Sequence, residues 1–333
     1  MSQAKKFAGH VTLTRRLCVL AALGAGAALA QAGGAGDYDT PEALYQALRV
    51  QPRTRLTVGG GSIDVVFADG APGVDRARVL AWVRSSAIAV STYFGRFPVP
   101  HLGLLIIAGD GDRVGHATTF GFRGSATRIH VGRMADADAF ARDWVLVHEM
   151  VHLALPNLPR QNLWLQEGNA TYVEPIARAQ AGQLDAASVW RWSLEGMPKG
   201  QPMAGDQGLD HTATWGRTYW GGATFWLLAD MSIYRRTQGR LTLRDALRAI
   251  NRASGGNTAE WSADQVMTAG DAATGTDVLS RLYARMKDAP APTDLDAVFG
   301  ELGVAEVGGQ IAFDDNAPLA AFRRGTTRAR TRS

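Results

Sequence analysis

From Asp143 to Leu155 the chain reads Asp-Trp-Val-Leu-Val-His-Glu-Met-Val-His-Leu-Ala-Leu, an apolar run broken by two histidines and a glutamate. A helix that is apolar on every side belongs inside a core, and burial makes His148, Glu149 and His152 costly unless something satisfies them. On such a helix His148 and His152 project from one face, one turn apart, as two imidazoles must to bind a single ion at about 2.0–2.1 Å. Glu149, about 100° round from His148, reaches an open position on that ion without being a ligand and can take a proton from bound water. With 7 histidines in 333 residues, the pattern arises by chance about 0.004 times per chain. A buried helix that carries two histidines for no chemical reason is the alternative, and it leaves their burial unexplained.

Two histidines leave zinc short of a protein ligand, and catalytic sites of this kind add a carboxylate from elsewhere. The next segment, Leu163-Trp-Leu-Gln-Glu-Gly-Asn-Ala-Thr-Tyr-Val-Glu174, supplies Glu167 in a helical, largely apolar stretch. Pro156 and Pro159 end the first helix and turn the chain back, so antiparallel packing brings Glu167 over the histidine face. Glu174, seven residues on and on the same face, is a candidate acceptor for a ligand imidazole N–H; a structural role fits it equally. The His₂Glu set with one open position favours a single zinc ion per chain over cobalt or manganese.

The segments HEMVH and WLQEGNATYVE together resemble the gluzincin metallopeptidases, whose aminopeptidase-N-like members carry HExxH and then a helix of the WLxEGxAxYxE type. The resemblance implies a thermolysin-like zincin core, with His148, His152 and Glu167 as zinc ligands and Glu149 as general base. Downstream, Arg217-Thr-Tyr-Trp-Gly-Gly-Ala223 is similar to the family's YxKGA segment, which implies that Tyr219 donates a hydrogen bond to the tetrahedral oxyanion. The likeness covers roughly residues 100 to 240. The chain departs from it in three places: fourteen residues separate His152 from Glu167 where the family has eighteen, Gly221 stands in place of a lysine, and no GxMEN segment precedes the metal helix. The stretch in that position reads Thr118-Thr-Phe-Gly-Phe-Arg-Gly-Ser125, so specificity for a free amino terminus is not implied. The WGGA variant is closer to the glycyl-aminopeptidase-like branch.

Around this centre the chain reads as an α+β protein: a β-rich N-terminal lobe over residues 31–135, a mainly helical lobe over 136–305, and a flexible Arg-rich tail over 306–333. Strands are expected at Thr54–Val58, Ile63–Phe67, Leu102–Ala108, Ala117–Phe122 and Thr127–Val131, the last as the edge along which an extended peptide adds. Helices are expected near Asp39–Val50, Val74–Phe94, Asp138–Leu155, Leu163–Gln180, Thr214–Thr237, Leu243–Arg252, Asp277–Lys287 and Leu295–Leu302. His211 is a candidate second oxyanion donor and Arg217 a candidate partner for a substrate carboxylate; both also fit ordinary loop and helix-start positions.

Net charge is +4. Lys5, Lys6, Arg15 and Arg16 account for all of it, and five more arginines crowd the last eleven residues, which leaves the body acidic and excludes a nucleic-acid-binding face. The basic N-terminus, the apolar run Leu17–Ala30 and the small residues Ala28 and Ala30 form a secretory signal cleaved after Ala30. The run is too short to span a bilayer. Export to the periplasm or exterior is therefore expected, with no stable membrane span, and cleavage removes Cys18, the only cysteine. The substrate expected is a peptide or protein; a non-proteolytic zinc hydrolase and a silent gluzincin-fold binding protein are the alternatives. Nothing in the sequence specifies the oligomeric state.

Overall fold

The computed structural model describes residues 38–330, so the expected leader, its cleavage point and Cys18 lie outside the described residues. Helix α1 (Pro41–Val50) begins where the Thr40 hydroxyl accepts the Ala43 N–H and Pro41 supplies a preset φ. β1 (Arg53–Val58) and β2 (Gly61–Phe67) form the expected antiparallel pair. α2 (Arg76–Phe94) then crosses over to β3 (His101–Gly109), which runs parallel to β2. β4 (Val114–Phe120) and β5 (Ala126–Gly132) complete a five-stranded sheet in the order β1-β2-β3-β5-β4.

Alternation along the central strands sends their side chains to two cores. Ile63, Val65, Leu104 and Ile106 face α2 through Val79, Val83 and Val90, whereas Val66, Leu105 and Ile107 face Leu44 and Ala47 of α1. A strand buried on both faces reads as a continuous apolar run, as the 102–108 segment does. The same burial corrects the expected edge. Thr127, Ile129 and Val131 are inaccessible to solvent and even Arg128 is buried, so β5 sits inside the sheet, paired parallel to β3 and antiparallel to β4. β4 is the edge strand on that side, and β1 is the other edge.

After β5 the chain is mainly helical: α3 (Ala137–Arg142), α4 (Val145–His152), α5 (Leu163–Gln180), α6 (Ala186–Gly196), a wide π-type turn at Gly216–Gly221, α7 (Gly222–Arg236), α8 (Leu243–Ser254), α9 (Ala263–Thr274), α10 (Val278–Met286) and α11 (Leu295–Leu302). One apolar cluster runs from Ile63 and Leu104 of the sheet through Val147 and Leu165 to Ile250, so sheet and helices share a core. The single helix expected over 138–155 is broken at Asp143. Its carboxylate accepts the Val145 and Leu146 N–H groups and the Trp82 indole N–H, which starts α4 afresh.

The C-terminal region corrects a further expectation. β6 (Val304–Val307) and β7 (Gln310–Phe313) form a hairpin, and α12 (Ala320–Thr327) packs back on α5 with Phe322 and Arg323 buried. A count of charges treats these arginines as solvated. Arg323 instead donates to the carbonyls of Leu302, Gly303 and Asp314, which satisfies a buried guanidinium without leaving solvent at it.

Three helices meet at Asp230 of α7, whose carboxylate accepts the Tyr172 hydroxyl of α5 and the Leu243 N–H that opens α8, both at 2.8 Å. Burial raises the pKa of this carboxyl from 3.8 to about 6, with those two donors offsetting part of the rise. A raised carboxyl pKa means that the fold prefers the protonated form, so its contribution is complete below about pH 4 and is lost as pH rises through 6. The stability gap between wild type and Asp230→Asn is therefore expected to narrow between pH 4.5 and pH 7 by at most about 3 kcal/mol. Denaturant midpoints of both proteins at the two pH values measure it; a gap that widens contradicts this account.

Candidate metal centre

α4 buries Leu146, Val147, Met150 and Val151 on its apolar sides, and His148 and Glu149 are nearly as buried. The turn through Pro156 and Pro159 returns the chain as α5, which packs along α4. A Glu167 oxygen lies 3.2 Å from His148 Nε2 and 3.4 Å from His152 Nε2. Ligand atoms from the three residues all fall within 4.8 Å of one another. Bonds of about 2.05 Å to a tetrahedral ion separate its donors by about 3.3 Å, so the spacing and the two-nitrogen, one-oxygen donor set fit zinc.

The electrostatics of the trio follow from burial and pairing. Burial disfavours charge on His152, but the Glu167 carboxylate outweighs it, with Glu149 adding, and the imidazole pKa rises to about 8. Burial likewise works against the charged form of Glu167, and the two imidazoles together pull it well below the ordinary carboxylate range. Glu167 and His152 are thereby favoured as opposite charges that satisfy one another.

Tyr219 joins this group from the wide turn, where the Gly222 N–H reaches back to the Arg217 carbonyl in place of the usual helical partner. Its ring stacks on His148 with centroids 6.3 Å apart and planes inclined by 21°. Burial pushes the Tyr219 hydroxyl well above its ordinary pKa, and the charges of Glu167 and Glu149 push the same way, so it stays a proton-bearing donor. On the sheet side, the Thr119 hydroxyl of β4 donates to the Glu149 carbonyl at 3.2 Å and meets the Thr127 hydroxyl at 2.9 Å. This sets the edge strand beside the glutamate.

The relative placement of Glu167 and Tyr219 comes from the crossing of α5 with α7. A Cβ added at Gly168 would stand 2.3 Å from the Gly222 carbonyl carbon, and one added at Gly222 would stand 2.2 Å from the Trp164 carbonyl oxygen. Backbone touches backbone there, which only glycine on both helices permits. The Trp226 indole N–H donates to the Leu165 carbonyl at 2.9 Å across the same crossing.

The structure thus brings together His148, Glu149, His152, Glu167 and Tyr219, and it places three other candidates elsewhere. Glu174 accepts from Arg178 at 3.1 Å, in place of the expected imidazole, and burial lifts its pKa to about 7 against the pull of that guanidinium. His211 is half exposed, in a turn, and pairs with Asp288 at 3.0 Å. Arg217 is buried, donates to the Gly200 carbonyl at 2.5 Å and lies 3.7 Å from Asp206, so its charge is committed to the fold and not to a substrate. Asp143 and the tryptophans at 144, 192 and 215 went unassigned from the sequence. An Asp directly ahead of an apolar helix is a capping signal that marks the first; Trp144 and Trp215 stand four residues ahead of His148 and Tyr219, the spacing that puts two side chains on one helix face, and no spacing rule marks Trp192.

Comparison with known proteins finds the fold. An aminopeptidase N family protein from Idiomarina loihiensis superposes with a TM-score of 0.56 at 16% identity, over 76% of this chain and 49% of that one. An M1 zinc metallopeptidase from Deinococcus radiodurans aligns with a TM-score of 0.45 at 16% identity, over 73% and 54% of the two chains. The chain spans about half the length of each of these proteins. No model of a known family and no curated protein matches the sequence. At such identity the first likeness shows a shared fold.

Gly222→Ala is expected to cost about 3 kcal/mol or more, because neither backbone can retreat, and to weaken zinc retention by parting Glu167 from its histidines. Gly300→Ala, where a Cβ meets open space on α11, is expected to gain about 0.5–1 kcal/mol. Thermal melts and metal analysis of the two variants test the pair; equal tolerance of both would show the crossing to be slack.

Proposed function

We propose that this chain is an exported zinc peptidase, periplasmic or extracellular, that hydrolyses peptide bonds with Glu149 as general base. The observation that carries the reading is the convergence of His148, His152 and Glu167 on one point, with Glu149 and Tyr219 beside them. Export rests on the N-terminal signal pattern; among the described residues no helix is long and apolar enough to cross a membrane. The peptide as substrate is supported by β4: it is the last strand of the sheet, it adjoins Glu149, and no described strand pairs with its outer side. An extended chain adds to such an edge through main-chain hydrogen bonds.

His148, His152 and Glu167 would hold the ion, which when bound supplies Lewis-acid polarisation and a water acidic enough to ionise near neutral pH. Glu149 accepts the water proton. Tyr219, kept protonated by its buried and acidic surroundings, donates a hydrogen bond to the oxygen on which charge develops. Glu149 then returns the proton to the departing amine. β4 aligns the peptide backbone across these groups.

Metal analysis and cleavage of free and N-acetylated peptide libraries on one preparation test this function. About one zinc per chain and cleavage by the wild type are expected. Glu149→Gln is expected to keep the zinc and lower kcat by about 10²–10⁴, and Tyr219→Phe to lower it by about 10²–10³ with little change in KM. His148→Ala is expected to lose the metal. Zinc binding without cleavage of any peptide would move the assignment to hydrolysis of another bond, and failure to bind zinc would remove the assignment altogether.

A further inference from the structure

Three large aromatic side chains stay open to solvent around the metal-ligand group. Trp144, Trp192 and Trp215 expose 43%, 40% and 61% of their surface. Trp144 stands at the start of α4 with its ring edge-on to the His148 imidazole, centroids 5.5 Å apart and planes at 85°. Trp192 reaches it from α6, 6.2 Å away and tilted by 47°. Trp215 stacks on Tyr219 at 6.0 Å, and Tyr219 in turn stacks on His148. The rings therefore form one series, Trp192–Trp144–His148–Tyr219–Trp215, that runs through His148 and Tyr219 of the site.

This series is anchored from below. Trp192 rests 5.3 Å from Trp220, and Trp220 is buried in a notch at Gly196, where a Cβ would stand 2.1 Å from the indole. Exposed aromatic rings held in place offer contact area at low entropic cost, and continuity with a catalytic group distinguishes them from scattered surface residues. Trp144 and Trp192 are splayed at 47°, and Trp144 stands at 85° to His148, while Trp215, Tyr219 and His148 follow one another in near-parallel steps of 27° and 21°. A side chain that enters between splayed rings finds the offset and edge-to-face contacts at 4.5–7 Å that aromatic groups prefer.

We propose that Trp144, Trp192 and Trp215 line the subsite for a large apolar side chain, foremost an aromatic one, adjoining the bond that is cut. The substrate class is then peptides with Phe, Tyr, Trp or Leu beside the scissile bond. This rests on the peptidase reading above and names its specificity. Trp144 and Trp215 act through the substrate and leave the proton transfers to Glu149 and Tyr219.

The test uses the Glu149→Gln protein, which binds without turnover, and a series of capped pentapeptides that differ only at the central residue: Phe, Leu, Ala or Lys. Binding is followed by tryptophan fluorescence and calorimetry. The Phe peptide is expected to bind at least about tenfold tighter than the Ala peptide. Trp192→Ala and Trp215→Ala, added singly, are each expected to remove most of that ratio, whereas Trp215→Phe keeps most of it; zinc content and melting temperature should stay constant throughout. A ratio near one, a ratio that survives both alanine substitutions, or tighter binding of a chitin oligosaccharide than of any peptide overturns the subsite. Cleavage by the otherwise wild-type enzyme separates the two claims: selective binding with no cleavage sinks the peptidase reading and keeps the subsite, and cleavage without preference does the reverse.

Discussion

Where α5 crosses α7, two backbones touch at Gly168 and Gly222, and the rest of the site is positioned from that contact. Helix axes normally pack about 8–10 Å apart because side chains intervene. With none between them here, Glu167 and Tyr219, one residue and three residues from the contact, are brought over the same imidazoles. Further along the pair, the Tyr172–Asp230 hydrogen bond and the Trp226–Leu165 bond hold the crossing in register. The glycines lower helix propensity, and the fold accepts that weakness in both helices for the sake of the approach.

The second constraint is dielectric. Two histidines and two glutamates stand in largely buried surroundings, His148 and Glu149 fully and His152 and Glu167 in part, where an isolated charge is costly. Glu167 and the imidazoles offset one another, and the same arrangement is a donor set of the size zinc requires. Burial also keeps Tyr219 protonated. The large core around α2, α4 and α5 thus sets the protonation of His152, Glu167 and Tyr219 along with the stability of the fold. Trp144, Trp192 and Trp215 continue the aromatic lining outward to the surface.

Much of this was legible from residues alone. α4 and α5 were visible in their apolar periodicity, and the turn between them in two prolines. The spacing of His148 and His152 put both on one face because helix geometry converts spacing into direction, and the prolines before α5 implied that Glu167 comes back over them. The central strands showed as runs with no polar face. Other features were not legible, and each depends on a partner distant in the chain. Periodicity reports that β5 is buried but not which strands flank it. Glu174 lies on the expected face, yet whether it meets an imidazole or Arg178 depends on how α5 sits against its neighbours. Arg323 and Arg217 read as solvated charges, since nothing local shows that carbonyls and a carboxylate from elsewhere will receive them.

By itself, then, the sequence determined the donor types, their spacing on two helices, and the glycines and prolines that let those helices meet, because all of these are properties of short segments. Tertiary structure alone decided which strand forms the edge beside Glu149, that Arg217 and His211 are spent on the fold and the surface, and that Trp144, Trp192 and Trp215 assemble around one site. Apart from the four-residue neighbours Trp144–His148 and Trp215–Tyr219, those outcomes depend on contacts between residues more than ten positions apart, and such contacts are chosen by the packing of the whole core.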